Sequence, residues 1–171
     1  LNFGVRDYGT TQAYLVLEKK ALRYRPDLVL LQFSHGNDVR DNSYVLDGRR
    51  LRPYFSLDAA GALQLDDSFA SSAAFRRIAS PAREALRTLV DSSSVLQLAS
   101  RKQVRLVHSA HAKGVAGLET ETLAAPRDPL WADAWRITAA LIARICDAAS
   151  RHGAQVPIVP VPFRIAFPPT R

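Results

Sequence analysis

The chain has 171 residues, 47% hydrophobic and 23% charged, which suits one globular domain with a real core. No apolar run approaches the ~20 residues needed to span a bilayer, and residues 1–15 lack the basic start and apolar block of a signal peptide. Lys plus Arg outnumber Asp plus Glu by 23 to 16, a net charge of +7, yet the arginines scatter. Their small clusters, Arg49-Arg50-Leu51-Arg52, Arg76-Arg77 and Arg101-Lys102, come with no RNA-binding or zinc-finger signature, so they read as solvated basic surface rather than a nucleic-acid site. One cysteine, Cys146, excludes an internal disulfide.

Residues 10–24, TTQAYLVLEKKALRY, predict a helix with Ala13, Tyr14, Leu17, Ala21 and Tyr24 on its apolar face. Thr10 or Thr11 can cap its start, and Pro26 forbids its continuation. Residues 27–33, DLVLLQF, form a short and almost unalternating apolar run, the pattern of a parallel strand covered on both faces. The run stops at Ser34-His35-Gly36 and gives way to Asn37, Asp38, Asp41 and Asn42. Residues 49–69 read as a hairpin turning at Asp58-Ala59-Ala60-Gly61. Two or three short helices are expected between 71 and 107, and residues 108–128, aperiodic and rich in small residues, read as an exposed loop.

The most regular pattern is a helix over about 130–151, with Trp135, Ala139, Ile142, Cys146 and Ala149 on one stripe. Cys146 is expected there as a small buried hydrophobe. Gly153 follows and can take the left-handed conformation that ends a helix. Residues 154–162, AQVPIVPVP, predict a second strand that Pro157 weakens. Helix, strand, helix, strand implies an α/β fold with a parallel sheet, and the carboxyl ends of such strands are where ligands bind. Both the polar burst after Phe33 and the loop NFGVRDYGTTQ, residues 2–12, are placed at such ends, with Leu1-Asn2 expected to close a preceding strand.

These two loops resemble the signature blocks of the SGNH hydrolases, also called GDSL esterases and lipases. The family's Asn block, Gly-x-Asn-Asp, is matched by Gly36-Asn37-Asp38 after His35, and its Gly block by Asn2-Phe3-Gly4-Val5-Arg6-Asp7-Tyr8-Gly9-Thr10. Asp7 stands where the family usually has glycine. The resemblance implies a flavodoxin-like three-layer α/β/α domain over residues 1–171, with 49–69 as a hairpin insertion, 108–128 as a loop, and part of the sheet missing. It implies a serine esterase or acylhydrolase acting on a carboxylic ester of a small molecule, carbohydrate or lipid, without cofactor or metal. An O-acetyltransferase-like or a non-catalytic member of the same fold is the alternative.

Asn37 would supply a side-chain N–H to the oxyanion, Asp7 and Gly9 are candidate backbone donors, and Gly4, Gly36 and Asp38 would support them. The family's Ser block precedes the Gly block and its Asp-x-x-His block comes last. Nucleophile and base are therefore expected outside residues 1–171, and the chain, which begins at Leu1 and contains no Met, reads as an internal piece of a longer protein. A secreted or periplasmic destination would follow if the preceding segment carried a signal. Without its central strand the sheet would expose apolar edges, so poor folding of these residues alone is expected. LDDSF at 65–69 and HSAHAKG at 108–114 imitate catalytic blocks, but the first falls in the hairpin and the second in a loop without an adjacent carboxylate.

Overall fold

A computed structural model of the chain describes residues 1–5, 7–35, 37–49, 51–81, 85, 88, 92–93, 125–126 and 128–161. Of the expected loop at 108–128, residues 108–124 and 127 lie outside the described residues, as do most of the helices expected up to 107.

Helix α1 runs over Thr10–Lys19 and gives way to a 3-10 turn at Ala21–Tyr24, shorter than the continuous helix expected. The break is at Lys20, whose φ of −131° leaves the helical region, and Arg25 closes the turn in the left-handed region at φ 48°. The tighter turn swings Leu22 into the core and leaves Tyr24 on the surface at 60% exposure. Strand β1, Leu31–Phe33, pairs in parallel with β4, Ile158–Pro160, through Leu31–Ile158, Gln32–Val159 and Phe33–Pro160. Both strands are shorter than their apolar runs, and Pro157 explains why. Val29 N–H still reaches the Gln155 carbonyl at 2.8 Å and Leu31 N–H the Pro157 carbonyl at 3.0 Å. Proline has no N–H to return to Val29, so the ladder splits into a separate Leu28–Gln155 bridge and the β1–β4 pair.

Two-sided cover of this strand is not what the structure shows. Leu31 is buried, whereas Leu28 and Leu30 are 56% and 65% exposed and Ile158 and Val159 each 41%. Residues 1–5 join no strand. Among the described residues the parallel sheet has two strands, in a mixed α/β arrangement.

The long helix, α5, covers Pro129–Ser150, with the Asp128 carboxylate accepting the Leu130 N–H and Pro129 in its first turn. Its buried stripe is Trp131, Ala134, Ile137, Thr138, Leu141, Ile145, Ala148 and Ala149. That is one position earlier than the stripe expected from Trp135, Ala139, Ile142 and Cys146, of which Ala139 is exposed and Cys146 only half-buried. Both stripes carry apolar residues at helical spacing, and Thr138 made the true one look broken. Its hydroxyl is satisfied inside the core: it donates to the Ala134 carbonyl at 2.7 Å and accepts from Asn42 Nδ2 at 2.9 Å. Gly153 takes φ 78° just after the helix, letting the Ala154 N–H bond back to the Ala149 carbonyl at 3.0 Å.

Tyr14, Leu17 and Leu22 pack against Ile137, Leu141, Ile145 and Ala148, with Leu31 and Phe55 completing the core. A second cluster sets Val39 against Trp131 and Ala134. Strands β2, Tyr54–Leu57, and β3, Leu63–Asp66, form the antiparallel hairpin. Its turn is closed by the Asp58 carboxylate, which accepts the Ala60 and Ala62 N–H groups at 2.9 Å each, with Gly61 at φ 79°. Helices α2, Asp38–Asp41, and α3, Tyr44–Asp47, lie between β1 and the hairpin, and α4, Ala73–Ile78, follows it. No helix among the described residues is long and apolar enough to cross a membrane.

Candidate active site

Strand β1 ends in a turn that closes on itself. The Ser34 carbonyl accepts the N–H groups of Asn37 at 3.2 Å and Asp38 at 2.8 Å, and Asp38 Oδ2 accepts the Ser34 N–H at 2.7 Å. Asp38 is buried beneath this turn. Its carboxyl is pushed up from 3.8 to about 6, chiefly by burial; the Ser34 N–H opposes the shift, Asp41 adds to it and Arg52 opposes it. Val39, wholly buried against α5, fixes the short helix that follows.

Three of the four acidic and amide residues after β1 are consumed by the fold. Asp38 holds the turn. Asn42, fully buried, accepts the Thr11 N–H at 3.0 Å and donates to Thr138, tying the start of α1 to the middle of α5. Asp41, with a side chain 1% exposed, takes Arg40 on Oδ1 at 2.7 Å and Arg49 on Oδ2 at 2.9 Å. Asn37 differs. It stands at the N-cap of α2, yet its side chain makes no cap bond, although capping is what an asparagine there usually does. Its backbone is engaged and its residue half-buried, while its amide has no hydrogen-bond partner among the described residues.

Arg52 is not the solvated surface that composition suggested, and Arg49, though exposed, is ion-paired. Arg49 Nε meets Asp47 Oδ1 at 2.7 Å, and Arg52, 12% exposed, meets Asp47 Oδ2 at 2.6 Å. The Tyr54 hydroxyl lies against the Asp47 carboxylate and the Arg49 carbonyl. Burial and the neighbouring Asp47 push that phenol up to about 12, against the pull of Arg52. Arg50 lies outside the described residues.

In the loop of residues 1–9, Gly4 is exposed, with its N–H on Asn2 Oδ1 at 2.8 Å. Asp7 sits at φ 66°, the left-handed region glycine enters freely and aspartate tolerates at some cost. Gly9 sits at a close approach: a Cβ there would stand 3.2 Å from Asp41 Cβ and 3.3 Å from Asn42 Oδ1. This contact brings the two motif loops together. Gly9's own N–H is spent on Gln12 Oε1 at 3.0 Å, with the Gln12 amide in turn donating to the Pro53 carbonyl at 3.1 Å, so Gly9 has no N–H to offer a ligand. The Asp7 N–H has no partner among the described residues, and Asp7's carbonyl accepts Arg52 Nη1 at 3.0 Å. Gly36 and Arg6 lie outside the described residues.

The sequence reading gave no joining role to Asn42, Asp47 or Arg52, which link the two loops; for Asp47 and Arg52 the signal was opposite charge five residues apart. A cavity of about 410 Å³ lies between α1 and α5 beside Glu18, Arg23 and His152, and one of about 320 Å³ beside Tyr44, Arg52, Tyr54 and Asp66. Neither is lined by Asn37 or Asp7. No group of three or more His, Cys, Asp or Glu among the described residues is placed to hold a metal ion. Comparison with protein-family models, with curated proteins and with solved structures finds no match.

Proposed function

We propose that this chain carries the oxyanion side of a serine esterase of the SGNH type, with a flavodoxin-like α/β/α domain acting on carboxylic esters of small molecules, carbohydrates or lipids. The observation that carries the reading is Asn37. Among the acidic and amide residues packed after β1, it is the one whose side chain no described residue engages, and it belongs to the motif that suggested the family. In the reaction, a serine hydroxyl adds to the ester carbonyl while a histidine accepts its proton, and the carbonyl oxygen becomes negative. Fixed donors lower that barrier because they need no reorientation as charge develops. Asn37 Nδ2–H and the Asp7 N–H are the donors proposed here. On this reading, the order of the family's blocks puts the serine, histidine and aspartate of the triad outside residues 1–171.

The test uses the protein expressed from its complete reading frame. A fluorophosphonate probe labels the wild type, and Asn37→Ala lowers kcat on p-nitrophenyl acetate by about 10²–10³-fold with KM little changed. Its thermal melt stays near wild type, because no described residue hydrogen-bonds the Asn37 amide. Absence of labelling in the wild type ends the reading.

A further inference from the structure

We infer that Arg52 is the positioning residue that sets the Asp7 peptide relative to the Asn37 turn; this rests on the esterase reading above. Asp7 is exposed and left-handed, a backbone state that a residue with a side chain adopts at some cost. Such a state persists where its surroundings over-determine it. Among the described residues the loop itself supplies little: the Tyr8 N–H reaches the Val5 carbonyl at a long 3.3 Å. Arg52 supplies the rest. Nη1 donates to the Asp7 carbonyl at 3.0 Å, and Nη2 to the Asp41 carbonyl at 2.9 Å and to Asp47 Oδ2 at 2.6 Å; Nε reaches the Tyr54 hydroxyl at 3.3 Å. The guanidinium carbon also stands 5.6 Å from the centre of the Tyr54 ring.

One planar group therefore holds the Gly-block loop at Asp7 and the Asn-block helix at Asp41, four residues after Asn37. The guanidinium is fixed in turn by an acid and a tyrosine of the intervening segment. Lysine keeps the charge but has a single nitrogen and no planar fork, so it cannot span two carbonyls and a carboxylate in this arrangement. Arg49 provides the matched control. It binds the same Asp41 and Asp47 carboxylates but makes no contact with Asp7.

The experiment compares Arg52→Lys and Arg49→Lys in the protein expressed from its complete reading frame. Two readouts are used: the ¹⁵N shift of the Tyr8 amide, which shares a peptide with the Asp7 carbonyl, and the kinetics on p-nitrophenyl acetate. Arg52→Lys is expected to move the Tyr8 shift and to lower kcat about tenfold or more with KM within twofold, since small misplacements of catalytic groups are costly. Arg49→Lys is expected to do neither. An unmoved Tyr8 shift in Arg52→Lys overturns the clamp. A moved shift with unchanged kcat overturns the positioning role while leaving the esterase reading intact. A wild type without fluorophosphonate labelling, whatever the Tyr8 shift does, overturns the esterase reading and with it the catalytic purpose of the clamp.

Discussion

Asp38 makes the fold's stability depend on pH in a direction opposite to that of most carboxylates. Its carboxyl rises to about 6, with burial as the largest cause. Between pH 4 and 6 the native state therefore keeps a proton that the unfolded chain has released. Stability rises with pH only where the unfolded state binds more protons, so across this window the Asp38 contribution falls as pH rises, and it is flat above about 6. A shift of about two units at about 1.4 kcal/mol each makes the loss roughly 3 kcal/mol. Asp38→Asn keeps an oxygen to accept the Ser34 N–H and removes the titration. Urea unfolding of both forms at pH 4.0, 5.0, 6.0 and 7.0 gives the difference free of other groups. Asp58 and Asp66, held below the usual carboxylate range by hydrogen bonds with Ala62 and Ser68 respectively, contribute the opposite slope equally to both proteins. The variant should gain on wild type by roughly 3 kcal/mol between pH 4 and pH 7. A difference that stays constant over that range would refute the argument that burial dominates at Asp38.

Two further substitutions test the joints of the fold by chemical denaturation. Asn42→Ala strips the partner from the buried Thr11 N–H and from Thr138, and should cost about 2–4 kcal/mol, since each orphaned buried group costs about 1–3. Leu141→Ala, at a fully buried position between α1 and α5, should cost about 2–5 kcal/mol with no change in the pH profile.

How much of this was legible in the sequence depended on whether a polar residue was read by its type or by its partner. The long helix, the hairpin turn at Asp58–Gly61 and the left-handed Gly153 follow from local rules, and the structure places them near their expected positions. The core stripe of α5 did not follow, because Thr138 counts as polar until Asn42, 96 residues away, is seen against it. Cover on both faces of β1 did not follow either. Leu28 and Leu30 made the run continuous, yet the described residues bury alternate positions, as in any strand with one packed face. In the candidate site, Asn37 and Asp7 were named from motif alone. Gly9 was named with them, but its N–H is engaged by Gln12, only three residues along the chain. That bond is a local capping interaction of the S/T-x-x-E/Q kind with glycine in the first place, a variant that the usual pattern does not flag.

The segment from Asp7 to Thr11 is pinned at both ends, and the two pins differ in kind. At Thr11 the pin is a neutral amide in a fully buried site, where water and salt do not enter. At Asp7 it is a guanidinium near the surface, held by a carboxylate and shared with a second helix. A neutral buried bond contributes to folding and is indifferent to ionic strength, whereas a peripheral charged bond is partly screened and can be lost without unfolding the core. The fold therefore separates the two tasks this loop performs. Asn42 decides whether α1 starts where it does. Arg52 ties the Asp7 carbonyl to the Asp41 end of α2.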